Sequence, residues 1–179
     1  MKPPILLWGD DLKTKKIALM GIILGLTFSF SAIDSVVSSV LPLGVKIGIA
    51  NIIVMLTTIT IGRKEGFTIT ILKSLFILIT KGVTASILSL SGGILSFAIV
   101  ILLLKSEKNS LVLISVSGAV MHNIGQILTA SLIMKNINTL FYAPVLIIAG
   151  VLAGIVTGAI IRAVLPFAER TIKETVKEE

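Results

Sequence analysis

The chain has 179 residues, 55% of them hydrophobic and 14% charged, with a mean hydropathy of +1.07 and a formal net charge of +7. Soluble domains carry about 25% charged residues, so this composition excludes a water-soluble globule. The length accommodates about six membrane crossings of roughly 20 residues each, with no room for a separate soluble domain, and the absence of cysteine excludes disulfides, thiolate metal sites and a cysteine nucleophile.

In chain order, residues 1–16 read as a short cytoplasmic lead, followed by a first apolar stretch, Ile17–Ile33, that ends at Asp34. Lys13–Lys16 before an apolar run also has the form of a signal peptide, with Ser29, Ser31 and Ala32 as cleavage residues. Five further apolar stretches favour an uncleaved first helix. Pro42 and Gly44 predict a turn in the loop Asp34–Lys46, the longest on its side and a candidate lid. The second stretch, Ile47–Gly62, carries Asn51 about one turn in, and the third, Gly66–Thr80, carries Lys73 near its middle. The fourth, Gly82–Leu104, places Ser89, Gly92, Gly93 and Ser96 on one face, where the adjacent glycines either bring backbone near a ligand or serve packing. The fifth, Leu111–Met134, holds His122, Asn123 and Gln126; the sixth, Phe141–Leu165, has Pro144 near its start. Residues 166–179 mix both charges and extend the sixth helix as a cytoplasmic tail. Apolar runs this long lack the alternation of membrane strands. The expected fold class is therefore all-α, an integral membrane bundle of six transmembrane helices spanning residues 17–165.

Basic residues alternate in density between the loops. One side collects Lys2, Lys13, Lys15 and Lys16, then Arg63 and Lys64, Lys105 and Lys108, and finally Arg162, Arg170, Lys173 and Lys177. The other holds Lys46, Lys81 and Lys135. The positive-inside rule then puts both termini in the cytoplasm. The same placement explains the net charge by helix anchoring, so no nucleic-acid partner is expected; membrane lipid is.

With sides assigned, depth follows at about 1.5 Å per helical residue. Lys73 and His122 fall near the midplane, with Asn51, Asn123 and Gln126 in the outer half and Lys46 and Lys81 at the outer rim. An ionisable residue at that depth costs several kcal/mol on insertion scales and usually faces a cavity or the bundle interior. Lys46, Asn51, Lys73, His122, Asn123 and Gln126 are the candidate substrate-binding residues. The plainer readings are a snorkelling or carbonyl-paired Lys73 and a His122 cluster that merely glues helices together. Asp34 either pairs with a lysine or caps the loop. His122 has no second histidine or cysteine to share a metal with, so no metal or cofactor is expected. Gly21 and Gly25 on the first stretch, and Gly150, Gly154 and Gly158 on the sixth, recur every four residues. That spacing lets helix backbones approach closely, within the bundle or, for the first helix, against a partner membrane protein.

Gly44–Asn51 (GVKIGIAN), Ser89–Ser96 (SLSGGILS), Ser115–Gln126 (SVSGAVMHNIGQ), Tyr142–Pro144 and the glycines of the sixth stretch together resemble one family. It is the bacterial Gx transporter family, also labelled heptaprenyl diphosphate synthase component I, and the resemblance runs from about Lys16 to Leu165. The family is similar to the substrate-binding S components of energy-coupling factor (ECF) vitamin transporters. The resemblance implies a six-helix protein of a bacterial cytoplasmic (inner) membrane that binds a small molecule near its outer face. It also implies partners, a membrane coupling subunit driven by two ATPases. Where the family often has arginine this chain has Lys73, which keeps the charge without the bidentate fork. Gly21 and Gly25 stand where S components have an alanine-rich docking face.

The synthase label meets an obstacle in the residues. Prenyl diphosphate synthases hold magnesium through two aspartate-rich clusters, whereas this chain has only Asp10, Asp11 and Asp34. No P-loop or catalytic triad is visible, so the chain does not look like an enzyme. The expected function is a substrate-binding component for uptake of a small anionic organic molecule. The alternatives are a membrane subunit of isoprenoid or quinone metabolism, and a solitary ion-coupled carrier with His122 handling the proton.

Overall fold

A computed structural model describes residues 10–40 and 48–177. They form six α-helices: α1 (Asp10–Val40), α2 (Ile49–Thr60), α3 (Arg63–Lys81), α4 (Val83–Leu103), α5 (Leu111–Met134) and α6 (Ala143–Lys177). A 3-10 turn, Ile137–Tyr142, leads into α6. No strand occurs among the described residues.

Burial is inside-out relative to a soluble protein. Thr27, Thr57, Thr70, Ser74, Ser89 and Ser115 are buried, whereas Ile79, Leu132, Phe141 and Phe167 are among the most exposed side chains. Large apolar groups can face outward in such numbers only where the solvent is itself apolar, and small polar residues then mediate helix contact. This is a multi-pass membrane protein. Five buried threonine hydroxyls satisfy themselves locally: Thr27, Thr57, Thr58, Thr60 and Thr70 each donate to the carbonyl four residues earlier. Such back-bonding suits helices that have no water to bond to.

Four of the helices, α1, α4, α5 and α6, are long and apolar enough to cross a membrane. The second expected crossing is shorter than Ile47–Gly62: α2 has 12 residues, a rise of about 18 Å against a hydrocarbon core of about 30 Å. The first helix, conversely, outruns its expected bounds at both ends. Asp34, expected to begin a loop, lies inside α1, so the stretch expected to form a lid is helical as far as Val40. Pro42 and Gly44, expected to make its turn, lie outside the described residues, as does Lys46. The tail beyond Leu165 continues α6 through Pro166.

Glycine sets the closest helix approaches. A Cβ built on Gly125 of α5 would stand 2.8 Å from Gly92 Cα on α4, and one on Gly158 of α6 2.8 Å from Val112 Cα on α5. Gly154 meets the Val116 backbone more closely still, and Gly150 packs on Asn123 and Val120. The stripe on α6 is thus the seam with α5. Gly21 and Gly25 on α1 have nothing within 4 Å of where a Cβ would sit. Helix α1 is held instead by Phe28 stacked on Phe76 of α3 (centroids 4.3 Å apart) and by Lys16, whose ammonium pairs with Glu65 at the start of α3. Burial works to raise the Glu65 pKa, but the Lys16 hydrogen bond and the nearby positive charge prevail and hold it below the usual carboxylate range.

Between α3 and α4 the chain turns on one residue, Gly82, with φ 85° and ψ 179°. Side chains are essentially excluded from this region, and occupying it costs about 1–3 kcal/mol. A Cβ there would meet no neighbour, so Gly82→Ala tests backbone strain alone. We expect it to lower thermal stability in detergent by that amount, and an unchanged melting temperature would refute the turn.

Candidate functional site

Two cavities meet at one lysine. Lys73 projects from the middle of α3 and is only 5% exposed. Its Nζ donates to Asn51 Oδ1 of α2 at 2.5 Å. A buried ammonium needs such an oxygen, because bare burial of the charge is costly. The cavity on one side of Lys73 encloses about 590 Å3 of space, open solvent at its mouth included. Its walls come from α2 (Asn51, Met55), α4 (Phe97, Val100) and the halves of α5 and α6 towards the loop end that carries Arg63 and Lys105. The second cavity, about 350 Å3, opens towards the opposite loop end. Lys81, Asp34, His122 and Gln126 line it together with Lys73.

His122 reaches this second cavity because Gly92 leaves room for it: a Cβ at Gly92 would lie 3.0 Å from His122 Cε1 and 2.7 Å from its carbonyl oxygen. Gln126, one turn along α5, places its Nε2 3.2 Å from His122 Nε2. An amide N–H can only donate, so this geometry makes His122 Nε2 the acceptor. Asp34 Oδ2 accepts from the Ala50 backbone N at 3.2 Å, in the first turn of α2. A carboxylate there meets free N–H groups and the positive end of the helix dipole. Asp34 therefore serves as a cap supplied by a neighbouring helix.

Of the six expected binding residues, Asn51, Lys73, His122 and Gln126 come together around these cavities. Asn123 turns the other way: its Nδ2 donates to the Leu146 carbonyl of α6 at 2.7 Å, and it lines neither cavity. Lys46 lies outside the described residues. The sequence reading passed over the contribution of α1, where Ser31 and Ser35 join Asp34 in the wall. Their signal was available, three polar residues at i, i+3 and i+4 on one helical face. On α4, Ser89 lines one cavity and Gly93 and Ser96 the other, while Gly92 packs against α5. Among the described residues, no group of three or more His, Cys, Asp or Glu side chains is placed to hold a metal ion.

The family model for heptaprenyl diphosphate synthase component I matches residues 21–164, and the chain belongs to that family. The matched span begins within α1 and ends within α6, so it covers both cavities. No curated protein and no solved structure matches the chain significantly.

Proposed function

We propose, with family membership as the premise, that this chain is a non-catalytic, substrate-binding membrane component for uptake of a small organic anion. The observation that carries the reading is the buried Lys73 ammonium where two cavities join. A positive charge kept at such cost in an apolar bundle is explained by a negatively charged ligand group. Asn51, Gln126 and His122 orient that group's oxygens. In this reading all six helices cross the bacterial inner membrane, with α2 and α3 as a short inner pair. Both termini face the cytoplasm, as the excess of Lys and Arg at one loop end supports. The cavity bounded by Lys81 and Asp34 then opens outward.

The sequence carries no recognisable ATP-binding loop, so accumulation against a gradient is driven by a partner, an ECF-type coupling subunit with its ATPases. The open small-residue face at Gly21 and Gly25 offers a surface for that subunit. The family's description favours a second reading, a membrane subunit that presents a lipid-like substrate to a soluble prenyl synthase.

Isolation of the tagged protein in mild detergent from its host, with mass spectrometry of what copurifies, separates the two. We expect a membrane coupling subunit and two ATPases. Recovery of a prenyl synthase instead, or of no partner, rejects the ATP-driven mechanism.

A further inference from the structure

The two cavities differ in chemistry, and the difference names a class of ligand. In the larger one, four of the five lining hydroxyls are already engaged as donors. Thr58, Thr70 and Thr157 donate to carbonyls of their own helices, at Val54, Gly66 and Gly154. Ser115 donates to Met55 Sδ at 3.3 Å. With those donors engaged, the wall away from Asn51, Lys73 and Ser96 presents methyl and methylene groups alongside Ile52, Phe97, Val100 and Ile161. The smaller cavity carries the charge, with Lys73 and Lys81 facing Asp34, whose Oδ2 is engaged at Ala50. It also contains Ser31, 7% exposed, whose Oγ is buried without a hydrogen-bond partner among the described residues. A buried hydroxyl left open in this way is a place for a ligand oxygen.

We infer that the ligand is an amphiphile, an organic anion whose charged group sits at Lys73 and Ser31 while an apolar body fills the larger cavity. The inference rests on the anion-binding reading above and adds the apolar body to it. A compact, fully polar anion would leave the hydrocarbon wall empty. A neutral apolar molecule would leave the Ser31 hydroxyl unmatched. Lys73 belongs to both walls, so one molecule reaches from the polar site into the apolar one without a break.

The test uses the full chain in nanodiscs of zwitterionic lipid, with acetate, butyrate, hexanoate and hexanol as probes and empty nanodiscs as the partition control. Affinity should rise about fourfold per methylene added along the carboxylate series, and hexanoate should bind at least tenfold more tightly than hexanol. Ala119→Phe, which projects into the larger cavity, should flatten the chain-length dependence; Ser96→Leu serves the same purpose if that variant fails to fold. Lys73→Met should erase the preference for hexanoate over hexanol. Equal binding of acetate and hexanoate overturns the apolar body and leaves the anion site standing. Equal binding of hexanoate and hexanol, unaffected by Lys73→Met, overturns the anion site itself. Chain-length dependence that survives both filling variants assigns the effect to lipid partition and also overturns the inference.

Discussion

Lys73→Met should leave the detergent-solubilised protein melting within a few degrees of wild type, whereas Asn51→Leu should cost about 2–3 kcal/mol. The two side chains share one hydrogen bond, so the asymmetry comes from what each substitution leaves behind. Removing the ammonium relieves a burial cost of about 2.5–3.5 kcal/mol and strands one amide oxygen, worth about 1–3 kcal/mol. The two nearly cancel. Removing the amide strips an acceptor from a charge that is still buried, the more expensive omission. The double variant should resemble Lys73→Met, since it leaves neither a buried charge nor an orphaned amide. Thermal melts of the three variants decide the matter. If Lys73→Met proves as damaging as Asn51→Leu, Lys73 is structural, and the argument for a ligand at this position collapses.

Gly154→Leu should be the most disruptive small-residue substitution, while Gly21→Leu and Gly25→Leu should be close to neutral for the isolated chain. At Gly154 even a Cβ runs into the Val116 backbone, and backbone cannot move aside as a flexible side chain can. Overpacking typically costs about 1–3 kcal/mol, occasionally more. Here it would also part α5 from α6, breaking the Asn123 bond to Leu146 and shifting Ser115 and Gly118 in the cavity wall. At Gly21 and Gly25 the added side chain enters open space, where substitutions usually stay within about 0.5 kcal/mol. Melting temperature and size-exclusion profile in detergent report both effects. A wild-type profile for Gly154→Leu would contradict the close α5–α6 seam.

These contrasts mark how far the sequence could be read. Lys73 stood out because an ammonium amid apolar residues is anomalous wherever the neighbours lie. His122 and Gln126 were paired by helical spacing alone, and the structure keeps them on one wall. Asn123 was grouped with them by adjacency, yet neighbours on a helix point about 100° apart, and its face belongs to α6. Asp34 was read as the start of a loop because the apolar run stops there; in fact α1 continues, and the carboxylate is used by the backbone of α2. Ser31 and Ser35 drew no attention as binding residues because hydroxyls are common in membrane helices.

What the sequence by itself determined is the helical class, the approximate position of the helices and the anomalous lysine at position 73. Each follows from local quantities, namely the length of an apolar run, the spacing of small residues and the cost of a charge in hydrocarbon. Only the tertiary structure decided which faces meet. Gly21/Gly25 and Gly150/Gly154/Gly158 have the same spacing, yet the first pair faces open space and the second set is a packed seam. The physical reason is that a face is buried only by the helix that arrives beside it. That is a property of the assembled bundle, and no window along the chain contains it.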